Sequence, residues 1–287
     1  MRNPPPEVVA AWPRPNYVDP EHRGDGLLIA ETAVLGIALL CLALRLYVRV
    51  VIVRKSGLDD WHMVIAAIFG AGVTMCTIIM TKVYYWDRHV WDLTPDQITN
   101  GRKASLAGQS LFFIATCFAK LSILLSYIRI APERSWFRRF TWWSMALVAT
   151  IALGSLFALW LQCRPISTYW NLNEPAPVCI NEGQLMFSVA VPNVATDLLL
   201  AVLPMPTLVR LSLPLGQRIA TIVLFSLGLV VVTAGVMRAY WIHEVVVLDV
   251  ADFTWQGYNV WIWTALECNL AVICGSIPVL RPVFFFI

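Results

Sequence analysis

The sequence predicts an all-α fold, namely a polytopic membrane protein built as a bundle of seven transmembrane helices. Of its 287 residues, 59% are hydrophobic and only 14% are charged, whereas a soluble domain carries about 25% charged residues. Seven apolar stretches are each long enough to cross the roughly 30 Å hydrocarbon core of a bilayer as a helix. Because backbone polar groups in lipid must pair within their own segment, each stretch is predicted to be helical.

The seven predicted spans cover residues 27–53, 58–85, 104–130, 140–162, 184–208, 219–241 and 254–278. Tryptophans cluster near both ends of these spans, as is typical of the two membrane–water interfaces. Residues 1–26 are rich in proline and are predicted to be a short, loosely packed N-terminal tail. Residues 27–282 then form the seven-helix domain, and residues 283–287 form a short C-terminal end.

Arginine and lysine are slightly more frequent in the short loops that follow the odd-numbered spans than in the other connections. By the positive-inside rule this places the N-terminus outside the cell or in a lumen. We therefore expect a multi-pass protein of the endoplasmic reticulum or the plasma membrane, with the lipid bilayer as its first partner. The basic residues are scattered singly and form no stripe of the kind that binds nucleic acid.

The end of the first span and the start of the second carry opposite charges. Arg45 and Arg49 are four residues apart and share one helix face. Asp59 and Asp60 open the second helix, where the helix dipole favours negative charge. We predict that these four residues, here called the latch, form ion pairs that join the first two helices. A structural role is favoured over a functional site.

The third, fifth and seventh spans each carry one ionisable residue at a similar depth. These are Lys120, Asp197 and Glu267, and Asn193 lies one turn before Asp197 on the same face. We call these four residues the central cluster and treat them as the candidate catalytic residues. They form either a structural network that fixes helix register or a cavity in which Asp197 or Glu267 donates a proton, with Lys120 tuning the charge.

The connection between the fourth and fifth spans contains Cys163 and Cys179, the only cysteines outside the predicted spans. We predict a disulfide in an oxidising compartment, and two free thiols are the alternative. No spacing of His, Cys or acidic residues predicts a metal site, and no cofactor is expected.

A second charged layer is predicted nearer the N-terminal side of the membrane. Glu31, early in the first span, and Arg238, late in the sixth, are expected to form an ion pair. His89 lies in the connection between the second and third spans. We expect it to be a solvated loop residue rather than part of a substrate entrance.

The order and spacing of these motifs resemble the fungal rhodopsin-domain family, the seven-helix membrane proteins of the satratoxin-cluster type. The residues that carry the resemblance are Arg45-x-Tyr47-x-Arg49, Asp59-Asp60, Lys120-x-Ser122, Tyr127-x-Arg129, Cys163-x-Pro165 with Trp170 and Cys179, Asn193-x-x-x-Asp197, Pro204-x-Pro206, Arg238, Trp263-x-x-x-Glu267 and Ile277-Pro278-Val279-Leu280-Arg281-Pro282. One loop departs from the family pattern, because the glycines that usually precede His89 are absent. The resemblance does not imply retinal, because no lysine lies in the seventh span.

The resemblance implies a protein of fungal secondary metabolism. Our leading hypothesis is an intramembrane cyclase or isomerase that acts on an apolar small-molecule metabolite through a buried Asp or Glu. The alternative is a receptor-like sensor that couples to a G protein through its short loops. A transporter is less favoured, because the sequence shows no inverted repeat.

Overall fold

A computed structural model of the chain describes residues 10, 12–130, 135–171, 178–205, 215–247 and 252–280. Seven helices within these ranges are long and apolar enough to cross a membrane, which confirms the predicted all-α, multi-pass architecture. In chain order they are α1 (Gly26–Tyr47), α2 (Leu58–Ile78), α3 (Pro95–Ile130), α4 (Trp136–Trp160), α5 (Glu182–Val202), α6 (Leu215–Ile242) and α7 (Phe253–Ser276).

Four of the helices continue into a short turn of different pitch. A π-helical turn extends α1 over Val48–Ile52, α2 over Ile79–Val83 and α6 over His243–Val247. A 3-10 turn, Ile277–Leu280, extends α7. Two further 3-10 turns, Val90–Asp92 and Ile166–Tyr169, lie in the connections, together with two short antiparallel strands, β1 (Cys163–Arg164) and β2 (Val178–Cys179).

The observed helix starts differ from the predicted ones where a polar cap precedes the apolar run. Helix α3 begins nine residues early, at Pro95, because Thr94 and Gln97 exchange hydrogen bonds of 2.8 and 3.4 Å that close its first turn. Helix α4 begins at Trp136, where the Ser135 hydroxyl accepts from the backbone N–H of Arg138. Capping chemistry therefore extends both helices beyond their hydrophobic segments.

The two ends of the bundle are named here by their contacts. The disulfide end holds Cys163 and Cys179 with the starts of α1, α3, α5 and α7, and the latch end is opposite. The described part of the N-terminal tail is attached at the disulfide end. There the backbone N–H of Asn16 donates to Asp92 at 2.8 Å, and that of Arg23 donates to the carbonyl of Asp87 at 3.1 Å. Residues 206–208 of the predicted fifth span and the C-terminal end 283–287 lie outside the described residues.

Helices α3 and α7 form the centre of the bundle, since 56% of each apolar window is buried. In the latch half the core is built from small residues with Met63 and Val272 between them. A Cβ added at Gly275 would lie 2.3 Å from the Met63 methyl group, so the glycine leaves room for the Met63 side chain of α2 against α7. In the disulfide half, Phe112, Leu159 and Tyr169 form a larger, aromatic core.

Candidate functional site

The latch joins three helices around the fully buried side chain of Arg45. Its guanidinium donates to Asp59 and Asp60 at 2.9 Å each and to the carbonyl of Gly275 at 2.7 Å. Arg49 adds a 3.0 Å bond to Asp59. The predicted pairing of α1 with α2 is therefore present in the structure, and Arg45 extends it to α7.

Helix α3 also contacts the latch, which the sequence reasoning missed. The Ser122 hydroxyl donates to the carbonyl of Asp59 at 2.6 Å, and that of Ser126 donates to its carboxylate at 3.3 Å. Arg129 lies 3.4 Å from the same carboxylate. A signal was available, because Ser122, Ser126 and Arg129 recur at helical spacing on one face of α3.

Lys120 is the centre of the hydrogen bonding between α3 and α5. Its buried ammonium lies 3.1 Å from the Asp197 carboxylate. It also donates to the carbonyl and the side-chain oxygen of Asn193 at 2.9 Å each and to the Thr196 hydroxyl at 2.8 Å. The ammonium is thus saturated with acceptors, as a buried cation must be.

Glu267 on α7 is linked to this group through Asn193. The Asn193 amide donates to Glu267 at 2.5 Å and lies 3.5 Å from Asp197. The structure thus brings the four residues of the central cluster together. On the opposite side, Arg238 of α6 donates to both carboxylate oxygens of Glu267, at 2.7 and 3.3 Å. Two cations and two carboxylates therefore share one buried network.

The predicted pair between Glu31 and Arg238 is wrong. Arg238 is occupied by Glu267, because α6 packs directly against α7. Glu31 is buried at 2% exposure, and neither carboxylate oxygen has a hydrogen-bond partner of normal geometry among the described residues. The Thr77 hydroxyl lies near this carboxylate but donates to the carbonyl of Val73. Sequence depth alone does not reveal which helices are neighbours, and this caused the error.

A cavity of about 110 Å³ lies at the disulfide end, between α3, α5, α6 and α7. Aromatic side chains dominate its walls: Trp86, Phe112, Phe113, Tyr169, Phe253 and Trp261. Arg238 lies at its inner end, with the guanidinium carbon 4.5 Å from the centre of the Phe112 ring. The cavity is not lined by Lys120, Asp197 or Glu267. Arg238 lines it and is bonded to Glu267, so Arg238 connects the cavity with the central cluster.

The outer part of the cavity carries a second ion pair. Arg102 of α3 donates to Glu182 of α5 at 3.1 Å, and the Tyr169 hydroxyl donates to the other oxygen of Glu182 at 3.1 Å. Burial and the negative charge of Glu182 raise the pKa of the Tyr169 phenol, so it remains a hydrogen-bond donor at neutral pH. The predicted disulfide between Cys163 and Cys179 is confirmed. Tyr169 lies in the loop that this disulfide closes.

His89 is not the solvated loop residue that the sequence suggested. Its ring is stacked between those of Trp91 and Trp255, with centroids 4.5 and 4.0 Å away, and its Nδ1 is hydrogen-bonded to the Asp252 carboxylate. Asp252 and Trp255 lie more than 160 positions further along the chain than His89. The sequence around His89 therefore could not reveal these partners. In the ranges that the structure describes, no three His, Cys, Asp or Glu side chains form a group that could hold a metal ion.

Comparison with known proteins gives a consistent family and few functional names. A family model described as "Fungal rhodopsin domain" matches residues 44–285. The chain is 27% identical to "Wortmanamides biosynthesis cluster protein C" of Talaromyces wortmannii over 79% of its own length and 61% of that protein. It is 25% identical to "Polyenoic acids biosynthesis gene cluster protein Ba17b" of Metarhizium anisopliae, over 92% of the chain and 74% of the relative.

A third relative carries a different kind of name. The chain is 26% identical to "Receptor GIN3" of Arthrobotrys oligospora, over 84% of its length and 58% of the receptor. The chain thus spans less than two thirds of two of these three relatives. No solved structure matches the chain.

Proposed function

Because the chain belongs to the fungal rhodopsin domain family, we propose that it is a membrane protein of fungal secondary metabolism that binds an apolar small molecule. The binding site is the aromatic-walled cavity at the disulfide end. The names of two relatives, both proteins of biosynthesis clusters, support the metabolic setting.

The cavity is the observation that carries this proposal. Binding sites for small molecules are concave, mostly apolar and furnished with a few polar groups, and this cavity has all three properties. Roughly 10–15 Å³ of such space holds one water molecule, so about 110 Å³ accommodates a small ring system or a chain segment.

Orientation is part of the same proposal. The disulfide end faces the cell exterior or an organelle lumen, since disulfides persist in oxidising compartments. The N-terminal tail contacts that end and therefore lies on the same side, in the endoplasmic reticulum or the plasma membrane.

Binding is better supported than acid catalysis. A general acid must hold a proton within reach of the substrate. Here Glu267 is paired with Arg238 and Asp197 with Lys120, and neither carboxylate lines the cavity. The cyclase or isomerase hypothesis therefore requires that Asp197 or Glu267 donates a proton to the substrate. Asp197→Asn and Glu267→Gln would abolish product formation if it were correct, whereas normal products from normally expressed variants would exclude it.

The binding proposal is tested with two matched glycine substitutions. Gly257 lines the cavity, Gly154 lies on an exposed face of α4, and a Cβ added at either would meet no atom within 4 Å. Purified protein in nanodiscs is incubated with an organic extract of the fungus, and the retained compounds are identified by mass spectrometry. We expect Gly257→Phe to lose a compound that the wild type and Gly154→Phe retain. Retention of the same compounds by all three proteins would contradict the proposal.

A sensory role is the second candidate, and α3 provides the observation that favours it. Lys120 of α3 belongs to the central cluster beneath the cavity, and Ser122, Ser126 and Arg129 of the same helix contact the latch. A shift of α3 on ligand binding would thus alter both the central cluster and the latch. The name of the GIN3 relative supports this reading. Co-purification with a G protein that depends on the retained compound would support it, and its absence would leave binding without signalling.

A further inference from the structure

Arg238 lines the cavity, and its hydrogen bonds to described residues use only part of its guanidinium. Its Nε and Nη2 both donate to Glu267, whereas Nη1 makes no hydrogen bond to any described residue. The side chain is 5% exposed and lines the cavity beside Phe112. A guanidinium nitrogen donates hydrogen bonds and cannot accept them, so this position offers a donor to whatever occupies the cavity.

The charge balance around the cavity determines which acceptor fits that donor. Arg238 is compensated by Glu267, and Arg102 at the outer part is compensated by Glu182. Beneath the cavity, Lys120 is compensated by Asp197. A ligand carboxylate would therefore bring an additional negative charge into apolar surroundings, which is costly. A neutral carbonyl oxygen accepts the same hydrogen bond and adds no charge.

We propose that the cavity selects a neutral apolar molecule that carries a carbonyl group, such as a lactone, ester, ketone or amide, and that Arg238 is the specificity-determining residue. The carbonyl oxygen accepts a hydrogen bond from Nη1 of Arg238, and the aromatic walls cover the apolar part of the molecule. This inference rests on the proposed function, because it presumes that the cavity binds a small apolar molecule.

Two bicyclic probes of nearly equal shape and a third that carries a carboxylate test the selection. Coumarin is a neutral lactone, 2H-chromene has a methylene in place of its carbonyl, and coumarin-3-carboxylate adds a negative charge. Affinities are measured by tryptophan fluorescence on protein in nanodiscs, and the signal that Gly257→Phe removes defines binding in the cavity. We expect coumarin to bind about tenfold more tightly than 2H-chromene, which corresponds to about 1.4 kcal/mol and is close to the lower limit for a hydrogen bond to a charged group. Coumarin-3-carboxylate should bind more weakly than coumarin.

Two variants connect the selection to Arg238. Arg238→Lys keeps the charge opposite Glu267 but removes the forked donor. The double variant Arg238→Met with Glu267→Gln removes both charges together, so that neither is left buried alone. In both variants, coumarin should bind no better than 2H-chromene. Thermal unfolding shows which variants are folded.

The possible outcomes separate this inference from the proposed function. If coumarin and 2H-chromene bind the wild type equally, or if Arg238→Lys leaves the preference intact, the inference is wrong but the cavity still binds apolar molecules. Tighter binding of coumarin-3-carboxylate would also overturn the inference. If no probe gives a signal that Gly257→Phe removes, both the inference and the proposed function fail.

Discussion

At the scale of single residues, burial and pairing separate carboxylates that look alike in the sequence. Glu31 and Glu267 both lie within apolar spans and are exposed by 2% and 1%. Glu267 is bonded to Arg238 and Asn193, whereas Glu31 contacts no cation among the described residues. Two equally buried carboxylates therefore contribute differently to stability, because only Glu267 is part of an ion pair.

This difference predicts unequal effects of two identical substitutions. Glu267→Gln leaves Arg238 buried without a counter-charge and should lower the free energy of unfolding by roughly 3–5 kcal/mol. Glu31→Gln breaks no ion pair and should change it by less than about 1 kcal/mol. Thermal unfolding of both variants in nanodiscs gives the comparison. Equal losses would show that Glu31 has a partner that the structure does not contain.

At the scale of helices, the latch explains how α1, α2, α3 and α7 are held at one end of the bundle. Arg45 has three acceptors on two helices and no solvent exposure, while the Arg49 side chain is 13% exposed. A fork of guanidinium donors satisfies several acceptors at fixed angles, which a single ammonium cannot do. The latch therefore depends on arginine specifically at position 45.

The matched pair Arg45→Lys and Arg49→Lys tests that dependence. We expect Arg45→Lys to cost about 3 kcal/mol, because one ammonium cannot reach all three acceptors and the bonds that are lost are buried and charge-assisted. Arg49→Lys should cost less than about 1 kcal/mol, as is usual for partly exposed ion pairs. Denaturation in detergent micelles measures both values, and a similar cost for the two changes would argue against a specific role of Arg45.

The disulfide is an element-scale constraint on the cavity. Cys163 and Cys179 are 16 residues apart, and closing a loop of this size stabilises the folded state by about 3 kcal/mol. The double change Cys163→Ser with Cys179→Ser should remove that contribution and weaken ligand retention, because Tyr169 lies within the closed loop. Cys41→Ser, in an apolar span, serves as the control for removing a thiol. Unchanged unfolding temperature and ligand retention in the double variant would contradict this assignment.

At the scale of the whole molecule, the bundle has two chemically different ends. The disulfide end combines the aromatic cavity with the His89 stack and the attached N-terminal tail. The latch end is closed by ion pairs of Arg45, Arg49 and Arg129 with Asp59 and Asp60. The cavity and the dense ion-pair network therefore lie at opposite ends of the bundle.

The proposed orientation predicts opposite accessibility of two new cysteines. Ser56 is exposed at the latch end and Asp96 at the disulfide end. In intact cells or sealed microsomes, Asp96→Cys should react with a membrane-impermeant maleimide from the exterior or lumenal side. Ser56→Cys should react only from the cytoplasmic side. The reverse pattern would show that the disulfide end faces the cytoplasm.

Much of the site was predictable from the sequence, and the errors share one cause. The latch was predictable, because a short loop joins the helices that carry Arg45 and Arg49 on one side and Asp59 and Asp60 on the other. Lys120, Asp197 and Glu267 were placed at one depth by counting residues along helices. The partner of Arg238 and the stack around His89 were mispredicted, because depth says nothing about which helices lie side by side.

The sequence by itself determined the membrane class, the seven helices and the family, because the length of apolar segments and the spacing of motifs can be counted along the linear chain. Only the tertiary structure decided that Arg238 pairs with Glu267, that Glu31 has no cation beside it, and that an aromatic cavity lies above the central cluster. Each of these depends on which helix faces pack against each other, which the depth of a residue along its own helix does not determine. That packing includes close contacts between small and large residues of different helices, such as Gly275 against Met63, which no single segment encodes.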